Sequence, residues 1–158
     1  MAHQKAAALV ADLAPVQMRD IERSALEMFA TTWANNPSRL VAWPWPDMVA
    51  DFRRKFPERF EVAIWADEIL CGLAIGKPSH SRHVMTVQFL EGNPDTQHPL
   101  KGIVHLAVLE AAHAYSVAIN AGAMRIDAPH PATIELYLGL GFRLETPSGR
   151  SAYCEKEI

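Results

Sequence analysis

A chain of 158 residues has the length of one domain with its own core, and a single domain over 1–158 is expected. Apolar residues make up 49% and charged residues 21%, a balance that excludes disordered and fibrous classes. The formal net charge of -3 excludes a strong basic field for nucleic acid, and no apolar run reaches the roughly 18 residues of a membrane span.

The opening MAHQKAAALVADLAP carries an Asp inside an apolar run too short for a secretory signal. Cys71 and Cys154 lie far apart in apolar stretches, which predicts buried free thiols of a cytoplasmic protein. Ala6 to Leu13 reads as a short strand or the frayed start of a helix. Pro15 then opens a helix on which Met18, Ile21, Ala25, Met28, Phe29 and Thr32 recur at helical spacing, and Asn35, Asn36 and Pro37 stop it. Two X-Pro pairs force extended backbone through AWPWPDM, after which Asp47 caps a short helix over MVADFRRKF. RFEVAIWADEILCGLAIG predicts a hairpin that turns at Asp67 and Glu68. A third strand, His83 to Leu90, alternates Val84, Thr86, Gln88 and Leu90 on one face with Met85, Val87 and Phe89 on the other.

Gly92, Asn93 and Pro94 end that strand, and a polar loop leads to a long helix from Leu100 to Ala121 that Gly122 terminates. AMRIDAP reads as a strand and ATIELYLGL as a short helix stopped by Gly141. FRLET and SAYCEKEI are a last pair of strands about the turn Pro147-Ser148-Gly149. The order β, α, α, β, β, β, α, β, α, β, β implies a mixed α/β (α+β) fold, a mixed sheet with helices on its faces.

The junction HPATIELYLGLGF has a physical reading of its own. Gly141 takes a positive φ and stops the helix, and Phe142 anchors the turn in the core. Tyr137, one turn earlier, either packs the helix or faces a cleft at the sheet edge. With the element order, this stretch resembles the GNAT superfamily of acyl-CoA-dependent N-acyltransferases, whose pattern here is roughly Asn-x-x-Ala-x-x-x-Tyr-x-x-x-Gly-Phe before a strand. Tyr137, Gly141 and Phe142 match that spacing, whereas His130 stands in place of Asn and Thr133 in place of Ala. AYCEKEI is similar to the family's last strand, and the resemblance runs from about Phe60 to the end.

The resemblance implies a mixed, mostly antiparallel central sheet flanked by helices, with a splayed gap between two central parallel strands. It implies acetyl transfer from acetyl-CoA, as cosubstrate, to a primary amine by direct attack. Tyr137 would protonate the leaving thiolate, a role that suits a phenol with an ordinary pKa of about 10. Gln88, Phe89 and Leu90 would pair with the pantetheine arm like an added strand. The family carries Arg or Gln-x-x-Gly-x-Gly or Ala where the long helix begins, so that backbone N–H groups approach pyrophosphate. Here PLKGIV supplies Leu100, Lys101, Gly102, Ile103 and Val104. Gly102 matches, Pro99 and Val104 depart, and Lys101 offers a substitute cation with Gln97 and His98 just upstream. His130 and Thr133 complete the cofactor set by position.

The partners implied are a small-molecule or peptide amine acceptor and a second copy of the chain in a homodimer, with no nucleic acid and no membrane. The loop departures leave open a non-catalytic module of the same fold that binds CoA or a protein partner as a sensor. An unrelated interaction domain with the same element order also stays open.

For the base, Glu91 at the end of the central strand is the candidate, beside an ordered water; its other reading is an exposed loop carboxylate. Glu61 and Glu68 sit at positions that more often face water, and Glu135 points away from Tyr137. Trp43 and Trp45 read either as a wall for an apolar acceptor or as plugs of the core beneath, and both readings stand. Arg53, Arg54 and Lys55 form an anion-facing or simply solvated basic face. His80 and His83 share a short loop, and His105 and His113 nearly align on the long helix. No H-E-x-x-H is present and the carboxylates do not cluster with these histidines, so no metal is expected.

Overall fold

In the computed structural model, residues 16–158 are described; the expectations for Ala6 to Leu13 and for Pro15 lie outside them. The elements are β1 (Val16–Arg19), α1 (Arg23–Thr32), α2 (Trp45–Lys55), β2 (Phe60–Ala66), β3 (Ile69–Pro78), β4 (Val84–Gly92), α3 (Val104–Ala118), β5 (Ala123–Asp127), α4 (Ile134–Gly139), β6 (Arg143–Glu145) and β7 (Tyr153–Glu157). A short 3-10 turn, Pro131–Thr133, leads into α4. The strands form one seven-stranded sheet in the order β1-β2-β3-β4-β5-β7-β6. Every pairing is antiparallel except β4 with β5, which is parallel.

Helices cover both faces. On one, α3 and α4 pack on Val62, Ile64, Met85, Val87, Met124 and Ile126. On the other, α1 and α2 bring Ala25, Phe29, Trp45, Val49 and Phe52 against Trp65, Leu73 and Ile75. The turn at Asp67 and Glu68 falls where expected, with both residues at positive φ. Cys71 and Cys154 are buried free thiols. Among the described residues no helix is long and apolar enough to cross a membrane.

Four expectations are corrected. The helix read from Pro15 starts only at Arg23. Val16–Arg19 is a strand instead, because the Ala63–Ala66 edge of β2 offers it a ladder of backbone partners. Asp47 lies in the first turn of α2 rather than capping it, since Pro44 and Pro46 already set the helix start one residue before Pro46. The long helix is shorter at both ends. Gly102 sits at φ +85°, which no helix accommodates, and at the other end Asn120, at φ +60°, makes the left-handed stop expected of Gly122. Gly122 is small for another reason: a Cβ there would lie 2.8 Å from the His83 ring.

The fourth correction concerns β4. Its register against β3 runs Ile75↔Phe89 and then Gly76↔Val87, so Gln88 is an extra residue that bulges out of the ladder. The simple alternation therefore breaks at Gln88. Met85, Val87 and Leu90 face the α3 core, while Phe89 packs with α1 and α2. Pairing of β4 with β5 ends at Val87↔Ile126, yet β4 continues to Gly92. From Gln88 onward the two parallel strands part, and this is the splayed gap.

Candidate active site

A cavity of about 680 Å³ occupies the gap between β4 and β5 and reaches the α1–α2 loop on one side and the start of α3 on the other. Gln88, Leu90 and Glu91 line it from β4, Lys101, Gly102 and Val104 from the turn into α3, and His130, Thr133 and Tyr137 from the segment after β5. Trp43 lines it from the α1–α2 loop. Phe89, Leu100, Ile103 and Trp45 do not: Leu100 and Trp45 are buried core residues, and Phe89 and Ile103 pack against the two cores.

Tyr137 is 2% exposed, with its ring 5.9 Å from that of His105 and 6.0 Å from that of Phe142. Burial pushes its phenol well above the usual range, partly offset by the neighbouring Thr133 hydroxyl. The group is therefore a neutral O–H at any physiological pH. Thr133 is itself held by donating to the His130 carbonyl oxygen at 2.7 Å, and His130 caps the 3-10 turn by accepting from Ala132 N–H at 3.1 Å.

At the other end of the cavity Gly102 is the conformational key. Its φ of +85° is one that side chains rarely adopt, and among the described residues nothing lies within 4 Å of where a Cβ would stand. The first N–H groups of α3 follow at once, without intrahelical partners and at the positive end of the helix dipole. His98 is held by its own turn: its Nδ1 accepts from Leu100 N–H at 3.2 Å, which leaves the ring proton on Nε2. Open backbone, a helix N-terminus, Lys101 and His98 make a donor set suited to a diphosphate.

No family model matches the sequence, and no curated protein matches it significantly. Solved structures do match. An acetyltransferase from Thermus thermophilus superposes with a TM-score of 0.66 at 12% identity, over 90% of this chain and 97% of that one. The PaiA N-acetyltransferase from Thermoplasma acidophilum, in complex with coenzyme A, gives 0.64 at 16% identity, over 90% and 99%. The ribosomal-protein-S18-alanine N-acetyltransferase from Escherichia coli gives 0.62 at 16%, over 90% and 92%. The chain has the GNAT fold. Identities this low carry the architecture and leave substrate and mechanism to the residues.

Within that GNAT fold, Glu91 holds an unusual position for a base. It is 6% exposed, and both of its oxygens are engaged. Arg39 donates from Nε to Oε2 at 2.8 Å and from Nη2 to Oε1 at 2.9 Å, and Trp45 Nε1 donates to Oε1 at 2.8 Å. Arg39 also donates to the Trp43 carbonyl at 3.0 Å, and its guanidinium lies 5.0 Å over the Phe29 ring. The hydrogen bonds to Glu91 hold the arginine's pKa above its ordinary value despite burial. With both oxygens occupied, this carboxylate fastens the α1–α2 loop to β4. The two tryptophans divide the two readings between them: Trp45 plugs the core, whereas Trp43 lines the cavity with its ring 5.0 Å from that of Phe89.

Sequence reasoning missed Arg39, Asp127 and the role of His105. His105 lines the cavity beside Tyr137, and burial pushes its imidazole down to about 4, so it is neutral at pH 7. Its place one residue after Val104 was the available signal. Arg39 sits in an irregular loop 52 residues from Glu91, and nothing local marks it. His80 and His83 do not line the cavity, and Arg53, Arg54 and Lys55 are paired with Glu61 and Asp51.

Proposed function

We infer that the chain is an acetyl-CoA-dependent N-acetyltransferase that transfers to a primary amine by direct attack. The observation that carries this reading is that one cavity, running through the strand gap, joins Tyr137 to the Gly102 turn. A neighbour of the same fold holds coenzyme A, which agrees with it. The β5-facing edge of β4 beyond Val87 has no strand partner among the described residues and offers backbone N–H and C=O groups to the pantetheine arm. Gly102, Lys101, His98 and the first turn of α3 would hold the diphosphate, and Val104, in place of a second small residue, lies at the helix start rather than over the open face of Gly102.

In the transfer, the amine nitrogen bonds to the thioester carbonyl carbon and the C–S bond breaks. Of the three protons of the acceptor ammonium, one stays on the amide nitrogen, one replaces the proton that Tyr137 gives to the departing sulfur, and one leaves to solvent. Because Glu91 is committed to Arg39 and Trp45, water takes the proton that is released.

Calorimetric titration of acetyl-CoA into wild type and Gly102→Trp tests the cofactor site. The indole would stand in open space over the turn, so the fold has room for it, although the positive φ costs about 1–3 kcal/mol. Micromolar binding in wild type, weakened at least tenfold in the variant, is expected. No binding in wild type overturns the reading.

A further inference from the structure

We propose that Asp127 binds the ammonium of the acceptor, and that the acceptor is a primary amine on an apolar alkyl or aryl body with no carboxylate beside the nitrogen. The proposal rests on the acetyltransferase reading of the same cavity and names its second substrate.

Among the described residues, two carboxylates line the cavity, Glu91 and Asp127. The charge of Glu91 is cancelled by Arg39 at 2.8 Å. Asp127 is half-buried, and its carboxylate has no hydrogen-bonding or ionic partner among the described residues. It is the last residue of β5 and the first beyond the β4–β5 pairing, so it stands where the strands part. Met124 and Ile126 face the α3 core, and alternation therefore places Asp127 on the opposite face of the sheet, the face that carries Trp43.

The backbone around Asp127 is fixed from both sides. Its neighbour across the sheet is Tyr153, and the next residue, Ala128, is held at a φ of +42° with its N–H donating to the Ala152 carbonyl at 2.8 Å. A non-glycine residue in that region is strained, and such strain persists where surrounding structure imposes it. In register, Gln88 would be the next partner of Asp127 had the strands not separated. The Gln88 side-chain carbonyl is buried and has no hydrogen-bond partner among the described residues. A free carboxylate and an unpaired carbonyl at one fork are the acceptors that an ammonium with three N–H donors requires. Around them the wall is apolar: Leu40, Val41 and Trp43. An α-carboxylate beside the nitrogen would face Asp127 with like charge, and a second cation would meet the apolar wall without a partner.

Steady-state transfer from acetyl-CoA to phenethylamine and to phenylalanine tests this. They share a body and an amine and differ in the carboxylate. We expect kcat/KM for phenethylamine at least tenfold above that for phenylalanine. Asp127→Asn should raise the KM for phenethylamine about 10- to 100-fold, the worth of a charge-assisted hydrogen bond, with the KM for acetyl-CoA unchanged. Asp127→Glu, which keeps the charge, should recover most of the loss, and binding of phenethylamine to the CoA-loaded chain by calorimetry gives the same comparison without turnover. An amine KM within twofold of wild type in Asp127→Asn, or a preference for phenylalanine, overturns the proposal. So does acetyl-CoA binding with transfer to neither amine, a result that leaves the cofactor site standing. Absence of acetyl-CoA binding instead overturns the underlying reading.

Discussion

The Arg39–Glu91 pair makes the sharpest prediction, because its burial sets the magnitude. The two side chains are 10% and 6% exposed, so neither charge is hydrated when its partner is gone. Removing one member of such a pair costs about 3–5 kcal/mol. Glu91→Gln should fall near the lower figure, since an amide carbonyl can still accept from Trp45 Nε1. In a domain of this size each kcal/mol is worth roughly 2–4 °C, which puts the loss at about 6–12 °C in Tm. Urea denaturation of wild type, Glu91→Leu, Arg39→Met and the double variant Arg39→Met/Glu91→Leu closes a cycle, with Glu91→Gln measured beside it. The double variant should lie close to wild type, because an apolar replacement of a buried pair is often neutral or stabilising. A loss below about 1 kcal/mol in Glu91→Gln, or a double variant as unstable as the sum of the singles, refutes the clasp. Kinetics add a second discriminant. A clasp predicts a raised amine KM from a displaced Trp43 wall, whereas a general base predicts a fall in kcat of about 100-fold or more in a fully folded Glu91→Gln.

Tyr137→Phe should lower kcat by about 10²–10⁴-fold while the acetyl-CoA Kd stays within about twofold; an unchanged kcat removes Tyr137 from the proton transfer. His105 predicts an acid-side loss of stability. Its pKa is about 4 in the folded chain against an ordinary 6.5, so the unfolded chain takes up the proton first and stability falls as pH drops from 6.5 to 4. The full shift corresponds to roughly 3 kcal/mol at most. His105→Gln should flatten that part of the urea-midpoint profile, and a variant profile as steep as that of wild type contradicts it.

What was legible in the sequence was local. The Asp67-Glu68 turn, the Gly141 stop before Phe142, and the spacing of Tyr137 from both are decided by residues a few positions apart, and they stand where the chain itself marks them. The element order was legible for the same reason. What was not legible depends on partners distant in sequence. Val16–Arg19 is a strand only because β2 presents an edge to it. Gly102 stands out in the sequence, but the consequence of its φ, a helix starting later at Val104, depends on the turn that His98 holds through Leu100 and Lys101. Arg39 and Asp127 carry no motif at all. Each acquires its position from the fold, one from a loop laid across β4 and the other from the end of β4–β5 pairing.

The bulge at Gln88 ties these distant features to a single inserted residue. Without it, strict alternation from Met85 and Val87 would point Phe89 and Glu91 into the α3 core and Leu90 away from it. An ionised carboxylate there would meet the apolar side chains of α3 with no arginine in reach, a cost comparable with the whole net stability of an ordinary domain. With the extra residue, Leu90 joins the α3 side, Phe89 packs edge-on against Trp43, and Glu91 meets Arg39 and Trp45. The opposite strand makes room: a Cβ on Gly76 would lie 2.0 Å from the Thr86 carbonyl oxygen, so only glycine lets β3 stay paired beside the bulge. β4 departs from β5 at the same point, which frees the β4 edge for a ligand and leaves Asp127 unpaired across the gap. The cavity, its apolar wall and the neutralisation of Glu91 are therefore one structural event, placed by a register shift of one residue.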